Sequence, residues 1–110
     1  MKIKIFILIS VISIIIGCKV YSDSKTRKNI QQLKNAQYID VRTQEEFDSG
    51  NHPKSINIPL SQFNKNLSKV DKNRPIVVVC RSGNRSGKAK KILESLGYQN
   101  VINGGSWTNL

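Results

Sequence analysis

The sequence predicts an α/β domain, a parallel β-sheet flanked by helices. Short β-branched runs alternate with stretches of helical period, strand then helix, several times. Ile76-Val77-Val78-Val79 is apolar at successive positions, as in a strand buried on both faces. Ala89, Ile92, Leu93 and Leu96 fall at i, i+3, i+4 and i+7, the spacing of one buried helix face.

The elements follow in order. Residues 30–35 read as a short helix, with Ile30 and Leu33 on one face. Tyr38-Ile39-Asp40-Val41 is a short strand. Thr43-Gln44-Glu45-Glu46 is a capping-box pattern, so a helix starts there and stops at Gly50. Ile56-Asn57-Ile58 is another strand, ended by Pro59. Ser61 is expected to cap a helix whose apolar positions are Phe63, Leu67 and Val70. Residues 71–75 form a turn leading into the central strand. In the next helix Lys88, Lys90, Lys91 and Glu94 occupy the side opposite the apolar face, and Gly97 supplies the stop. Val101-Ile102 is the last strand, followed by Asn103-Gly104-Gly105.

The N-terminus has a different character. Lys2 and Lys4 precede an apolar stretch over residues 5–16, too short to span a bilayer comfortably but suited to a secretory signal. It ends Ile15-Ile16-Gly17-Cys18, which resembles the lipobox of bacterial lipoproteins. That resemblance implies a lipid on Cys18, which becomes the first residue of the mature chain. Residues 1–18 are therefore expected to be a lipoprotein-type signal peptide, polar residues 19–28 a tether, and residues 29–110 one small domain. The protein is then exported and lipid-anchored in a bacterial envelope, on the periplasmic face or the outer surface. With Cys18 lipidated, Cys80 has no partner for a structural disulfide. In an oxidising compartment a lone thiol is a liability unless it is used.

The chain carries 18 Lys+Arg against 7 Asp+Glu. Without Lys2 and Lys4 the balance is 16 to 7, or +9. Anionic lipid headgroups, nucleic acid or small anions could each match that charge. Export and the lack of an aromatic-rich basic stripe argue against nucleic acid, and most of the lysines read as a solvated surface. One histidine and one free cysteine are too few to hold a metal, and no cofactor is expected.

Cys80 opens the segment Cys80-Arg81-Ser82-Gly83-Asn84-Arg85-Ser86 directly after the central strand and before a helix. At such a turn backbone N–H groups converge and the helix dipole is positive. Arg81 and Arg85 add further positive charge. This combination lowers a cysteine pKa and holds an anion beside the thiolate. In parallel α/β sheets, ligands sit at the carboxyl ends of strands, which is where Cys80 falls.

The ordered set Ile39-Asp40-Val41-Arg42, Glu45-Glu46-Phe47, Gly50 to Pro53 leading into Ile56-Asn57-Ile58-Pro59, Cys80 to Ser86, Gly97-Tyr98 and Val101 to Gly105 resembles the rhodanese domain. The likeness covers nearly all of residues 30–107 and is nearest to small exported single-domain members of the phage-shock-protein E type. It implies a rhodanese-like single domain, α/β around a parallel sheet. It also implies a cysteine that takes sulfane sulfur from a donor such as thiosulfate, forms a persulfide, and passes the sulfur to a thiol or cyanide acceptor. Two departures stand out. The family's Gly-His-Ile-Pro-Gly-Ala appears as Gly50-Asn51-His52-Pro53-Lys54-Ser55, so His52 receives no role. The chain also stops soon after Trp107, so the final helix common in the family is expected to be short or missing.

On this basis Cys80 is the candidate nucleophile, and the amides from Arg81 to Ser86 the anion cradle. Gly83 lets the loop curl with its amides inward. Arg81 is expected at the pocket mouth, favouring a dianionic donor. Arg85 either binds the anion or braces the loop. Ser82 and Ser86 are possible hydrogen-bond donors, and Ser86 a possible helix cap. Asp40 and Arg42 resemble the family's Asp-x-Arg pair and are expected to brace neighbouring loops. Glu45 and Glu46 suit a helix first turn and are not assigned to chemistry. A phosphatase of the Cys-x5-Arg type is disfavoured. Four residues, not five, separate Cys80 from Arg85, and Val79 replaces the histidine such enzymes place before the cysteine. A persulfide carrier serving a protein partner remains the alternative, since its loading chemistry would be the same. The domain is expected to act as a monomer.

Overall fold

A computed structural model describes residues 23–110, and the signal peptide and lipidation site expected at residues 1–18 lie outside them. Four strands form one parallel sheet in the order β2-β1-β3-β4: β1 Gln37–Asp40, β2 Ser55–Asn57, β3 Ile76–Cys80 and β4 Val101–Ser106. Helix α1 covers residues 23–31, α2 is Gln44–Ser49 and α3 is Asn84–Ser95.

All five residues of β3 are buried, because layers cover both faces of the sheet. Alternation sorts them. Ile76, Val78 and Cys80 join Ile39, Val41, Phe63, Ala89 and Leu93 on one face. Val77 and Val79 meet Ile30, Leu33 and Trp107 on the other. The sulfur thus belongs to the face covered by α3.

The Thr43 capping box forms as expected. The Thr43 hydroxyl accepts from the Glu46 amide at 3.2 Å, and the Glu46 carboxylate accepts from the Thr43 amide at 3.5 Å. Gly97 adopts φ +93°, and Tyr98 N–H reaches back to Leu93 C=O at 3.1 Å, closing α3.

Several expectations are corrected. The tether expected over residues 19–28 is helical from residue 23, so the folded part begins before residue 29. Its anchors are Ile30, buried against Val77 and Val79, and Arg27, whose guanidinium donates to Asn109 Oδ1 at 3.5 Å. A lone apolar anchor leaves no periodic trace in the sequence. The helix expected over residues 30–35 is therefore the end of α1 and a turn, closed by Asn35 at φ 59°. Ser61 caps nothing. The segment forms two 3₁₀ pieces, Leu60–Lys65 and Leu67–Lys69, with Pro59 before the first and the backbone broken at Asn66. Ser61, Asn64, Asn66 and Ser68 are weak helix formers, and Asn66 Nδ2 donates to Gln62 C=O at 3.1 Å, while Phe63 and Val70 still reach the core. Leu96 lies past the end of α3 and is 47% exposed.

β4 runs further than the short Val101-Ile102 strand expected, and it carries a bulge. Val78 pairs with Asn103 but Val79 pairs with Gly105, leaving Gly104 unpaired. A Cβ on Gly104 would stand 2.8 Å from Cγ1 of both Val77 and Val79. Those side chains are stiff at χ1 and fully buried, so they cannot give way. Gly104→Ala should cost about 1–3 kcal/mol, the usual scale of overpacking, read as a lower urea midpoint at unchanged m-value.

Candidate active site

β3 delivers Cys80 to the carboxyl edge of the sheet, and the chain turns at once into α3. Gly83 makes the turn at φ +100°, a conformation that favours glycine, and sits at the N-cap. The Gly83 amide is thereby aimed back at Cys80 and donates to Sγ at 2.9 Å. Ser86 lies one turn into α3, on the buried stripe with Ala89 and Leu93, and its Oγ is 3.4 Å from Sγ. Cys80 itself is 0% exposed, yet Arg81, Ser82 and Asn84 just beyond it are exposed, so the sulfur lies immediately beneath the surface.

Burial alone pushes the Cys80 thiol up. The Ser86 hydroxyl and the amides of Ser86, Gly83 and Ser82 act against it and prevail, holding the thiol below its ordinary value. The thiolate is stabilised by hydrogen bonds, with no histidine beside it. His52 is spent locally, its Nδ1 accepting from the Lys54 amide at 3.1 Å.

The two loop arginines part company. Arg85 forms a fork with Glu46, at 2.6 Å to Oε1 and 3.0 Å to Oε2. It therefore braces α3 against α2. Among the described residues the Arg81 side chain has no hydrogen-bond or ion-pair partner, and it is exposed beside the sulfur. The Arg85 hydrogen bond holds the Glu46 carboxyl down at about 2. A depressed carboxyl stabilises the fold above its unfolded value and loses that contribution as pH falls towards 2. With about a third of each side chain exposed, the pair is worth at most about 1 kcal/mol. Glu46, assigned from sequence only to the α2 dipole, thus also fixes the loop.

Behind the loop, Asp40 and Arg42 form a buried pair. Arg42 Nε lies 3.0 Å from both carboxylate oxygens and Nη2 lies 2.9 Å from Oδ2. Arg42 also donates to Glu46 C=O at 3.3 Å and Gly50 C=O at 2.6 Å, and stacks 4.6 Å from the Trp107 ring centroid. The pair ties the end of β1 to the Glu46 carbonyl and to the C-cap of α2, the helix that carries Glu46.

Sequence reasoning missed Asn103. It stands on β4 at the bulge, with Nδ2 3.0 Å from Gly83 C=O and Oδ1 2.7 Å from Ser86 Oγ. Gly87 permits this approach, since a Cβ there would lie 3.3 Å from Asn103 Nδ2. The polar residue next to Gly104-Gly105 was the only available signal.

Comparison with known proteins adds to this geometry. A family model described as "Rhodanese-like domain" matches residues 22–108. A rhodanese domain-containing protein of Drosophila melanogaster is 42% identical, with 73% of this chain and 86% of that protein covered. Thiosulfate sulfurtransferase PspE of Escherichia coli is 39% identical, with 62% of this chain and 67% of that protein covered. A solved structure described as a rhodanese with anions, from E. coli, superposes with a TM-score of 0.62 at 36% identity, covering 68% of this chain and 91% of that one.

Proposed function

The chain belongs to the rhodanese-like domain family, and from that premise we infer that it is a sulfurtransferase working through a persulfide on Cys80, with thiosulfate or a similar sulfane donor as its substrate. The observation that carries this reading is the Gly83 amide at 2.9 Å from a sulfur placed at the N-terminus of α3.

The chemistry balances without a cofactor. The Cys80 thiolate attacks the outer sulfur of thiosulfate, and the donor's S–S bond breaks with its electron pair leaving on sulfite. The enzyme then holds Cys80–S–S⁻, whose outer sulfur carries the charge and suits the amides of Ser82 to Ser86. An acceptor such as cyanide takes that sulfur and restores the thiolate. Cys80 is buried at rest, so the donor meets it only when the residues around the sulfur move aside. Arg81, without a side-chain partner among the described residues, supplies the charge that draws a dianion to this edge. Arg85 acts by holding the loop. A cradle this short around one sulfur also disfavours phosphate-ester chemistry.

Intact mass spectrometry of the domain tests the reading. Thiosulfate should add the mass of one sulfur, and cyanide should remove it as thiocyanate. A gain that cyanide does not release would make the protein a carrier for a partner. No gain from any sulfane donor would overturn the proposal.

Export with a lipid on Cys18 is proposed from the apolar stretch and Ile15-Ile16-Gly17-Cys18. The mature protein from membranes should begin at Cys18 and carry acyl mass. A full-length, unmodified chain in the soluble fraction would refute this.

A further inference from the structure

Ser86 has one hydroxyl proton and two acceptors within reach, Cys80 Sγ at 3.4 Å and Asn103 Oδ1 at 2.7 Å. It cannot serve both at once. When the sulfur is neutral, as thiol or as the inner atom of a persulfide, the shorter bond to Asn103 is the better use of the proton. When the sulfur is a thiolate, the charge-assisted bond to Sγ is the stronger one.

Asn103 is built to receive and release that proton. Its Nδ2 donates to Gly83 C=O at 3.0 Å, and its Oδ1 accepts from the Gly105 amide at 3.0 Å. These two contacts fix which way the amide points, with Oδ1 towards Ser86. They also leave Oδ1 satisfied when the hydroxyl turns away, so the turn strands no buried acceptor. The β4 bulge aims the side chain, and Asn109 holds the bulge by donating to Gly104 C=O at 2.9 Å.

We propose that Asn103 is a positioning residue of the sulfur site, its Oδ1 taking the Ser86 hydroxyl proton whenever Sγ is neutral and yielding it to Sγ whenever the sulfur is a thiolate. No proton leaves Ser86 in this motion; the hydroxyl only reorients. The thiolate is stabilised as the leaving group when the acceptor removes sulfur, and is relieved of that bond as it attacks the donor. The inference rests on Cys80 being the reacting thiol.

The test is the pH dependence of Cys80 alkylation by iodoacetamide, which needs no sulfur donor and so fails separately from the sulfurtransferase reading. The other charges facing the site are Arg81 from the loop, Arg85 from α3, Glu46 from α2, and Asp40 with Arg42 at the end of β1; β4 contributes none. These are common to all the variants below, and each substitution is neutral, so none adds a charge. Asn103→Leu removes the Oδ1 that holds the Ser86 hydroxyl when the sulfur is neutral, so the midpoint should fall by about one pH unit, a tenfold change in thiolate. Ser86→Ala should raise it. The decisive comparison is the double variant. If Asn103 acts through Ser86, Asn103→Leu changes little in the Ser86→Ala background. Fully additive shifts, or an unshifted Asn103→Leu profile, would overturn the proposal. Should Asn103→Leu fail to fold, the unmodified residue can be read by NMR. Its side-chain amide signals should titrate with Cys80 and cease to do so in Ser86→Ala. Signals that never titrate, or that titrate equally in both proteins, would equally overturn it.

Discussion

Cys80→Ser should abolish sulfur loading and lower thiosulfate:cyanide turnover by at least about a thousand-fold, the scale expected when a nucleophile is removed. The loss should come without unfolding, because serine is smaller than cysteine and its hydroxyl can still meet the Gly83 amide and Ser86 Oγ. A serine hydroxyl is not ionised at neutral pH, so the geometry survives and the nucleophile does not. The pH profile carries the second half of the argument. Hydrogen bonds from Ser86, Gly83 and Ser82 outweigh burial and hold the thiol below its ordinary value. The acid limb of the loading rate should therefore lie at lower pH than for a free cysteine, with activity lost as pH falls through the Cys80 pKa. A folded Cys80→Ser protein that still took up sulfur would remove Cys80 from the chemistry.

The parts of this site that were legible from sequence are those that local physics dictates. Cys80 follows a run of β-branched residues and precedes a run of helical period, so its place at a strand's carboxyl end needed no tertiary knowledge. Ser86 is expected from sequence as a hydrogen-bond donor or a helix cap; its hydroxyl donates to Asn103 Oδ1, while Gly83 takes the N-cap. Thr43 and Glu46 announce their own cap. The rest depends on contacts between distant positions. Arg85 meets Glu46 across 39 residues, and the capping box already explained Glu46. Asn103 reaches Gly83 and Ser86 because a bulge shifts the β4 register by one residue, and a bulge rearranges pairing without disturbing the apolar pattern. Helix α1 escaped because Ile30 is its principal buried apolar residue. The segment after Pro59 was read as α-helical because its apolar spacing is right, while its Ser and Asn content decided for 3₁₀ geometry.

Arg42→Ala should destabilise the fold by about 3–5 kcal/mol, the cost of leaving a buried charge without its partner. Asp40 is 0% exposed, and its carboxylate takes Nε, Nη2 and the Arg42 amide. For a domain whose total stability is about 5–15 kcal/mol, that is a large share, and the melting temperature should fall by about 15–30 °C. Arg42→Lys should recover little, because a single ammonium cannot fork onto the carboxylate while also reaching Glu46 C=O and Gly50 C=O. Asp40→Asn should destabilise as well, since it leaves the buried guanidinium without its counter-charge and turns an amide NH2 towards donors from which both carboxylate oxygens now accept. The pair also bears on catalysis. Arg42 anchors α2, α2 presents Glu46, and Glu46 holds Arg85 at the start of α3. Protein that stays folded in Arg42→Ala should therefore load sulfur more slowly, with the Cys80 thiol titrating nearer its ordinary value. A loss below about 1 kcal/mol would place the pair with surface ion pairs and sever this chain of support to the loop.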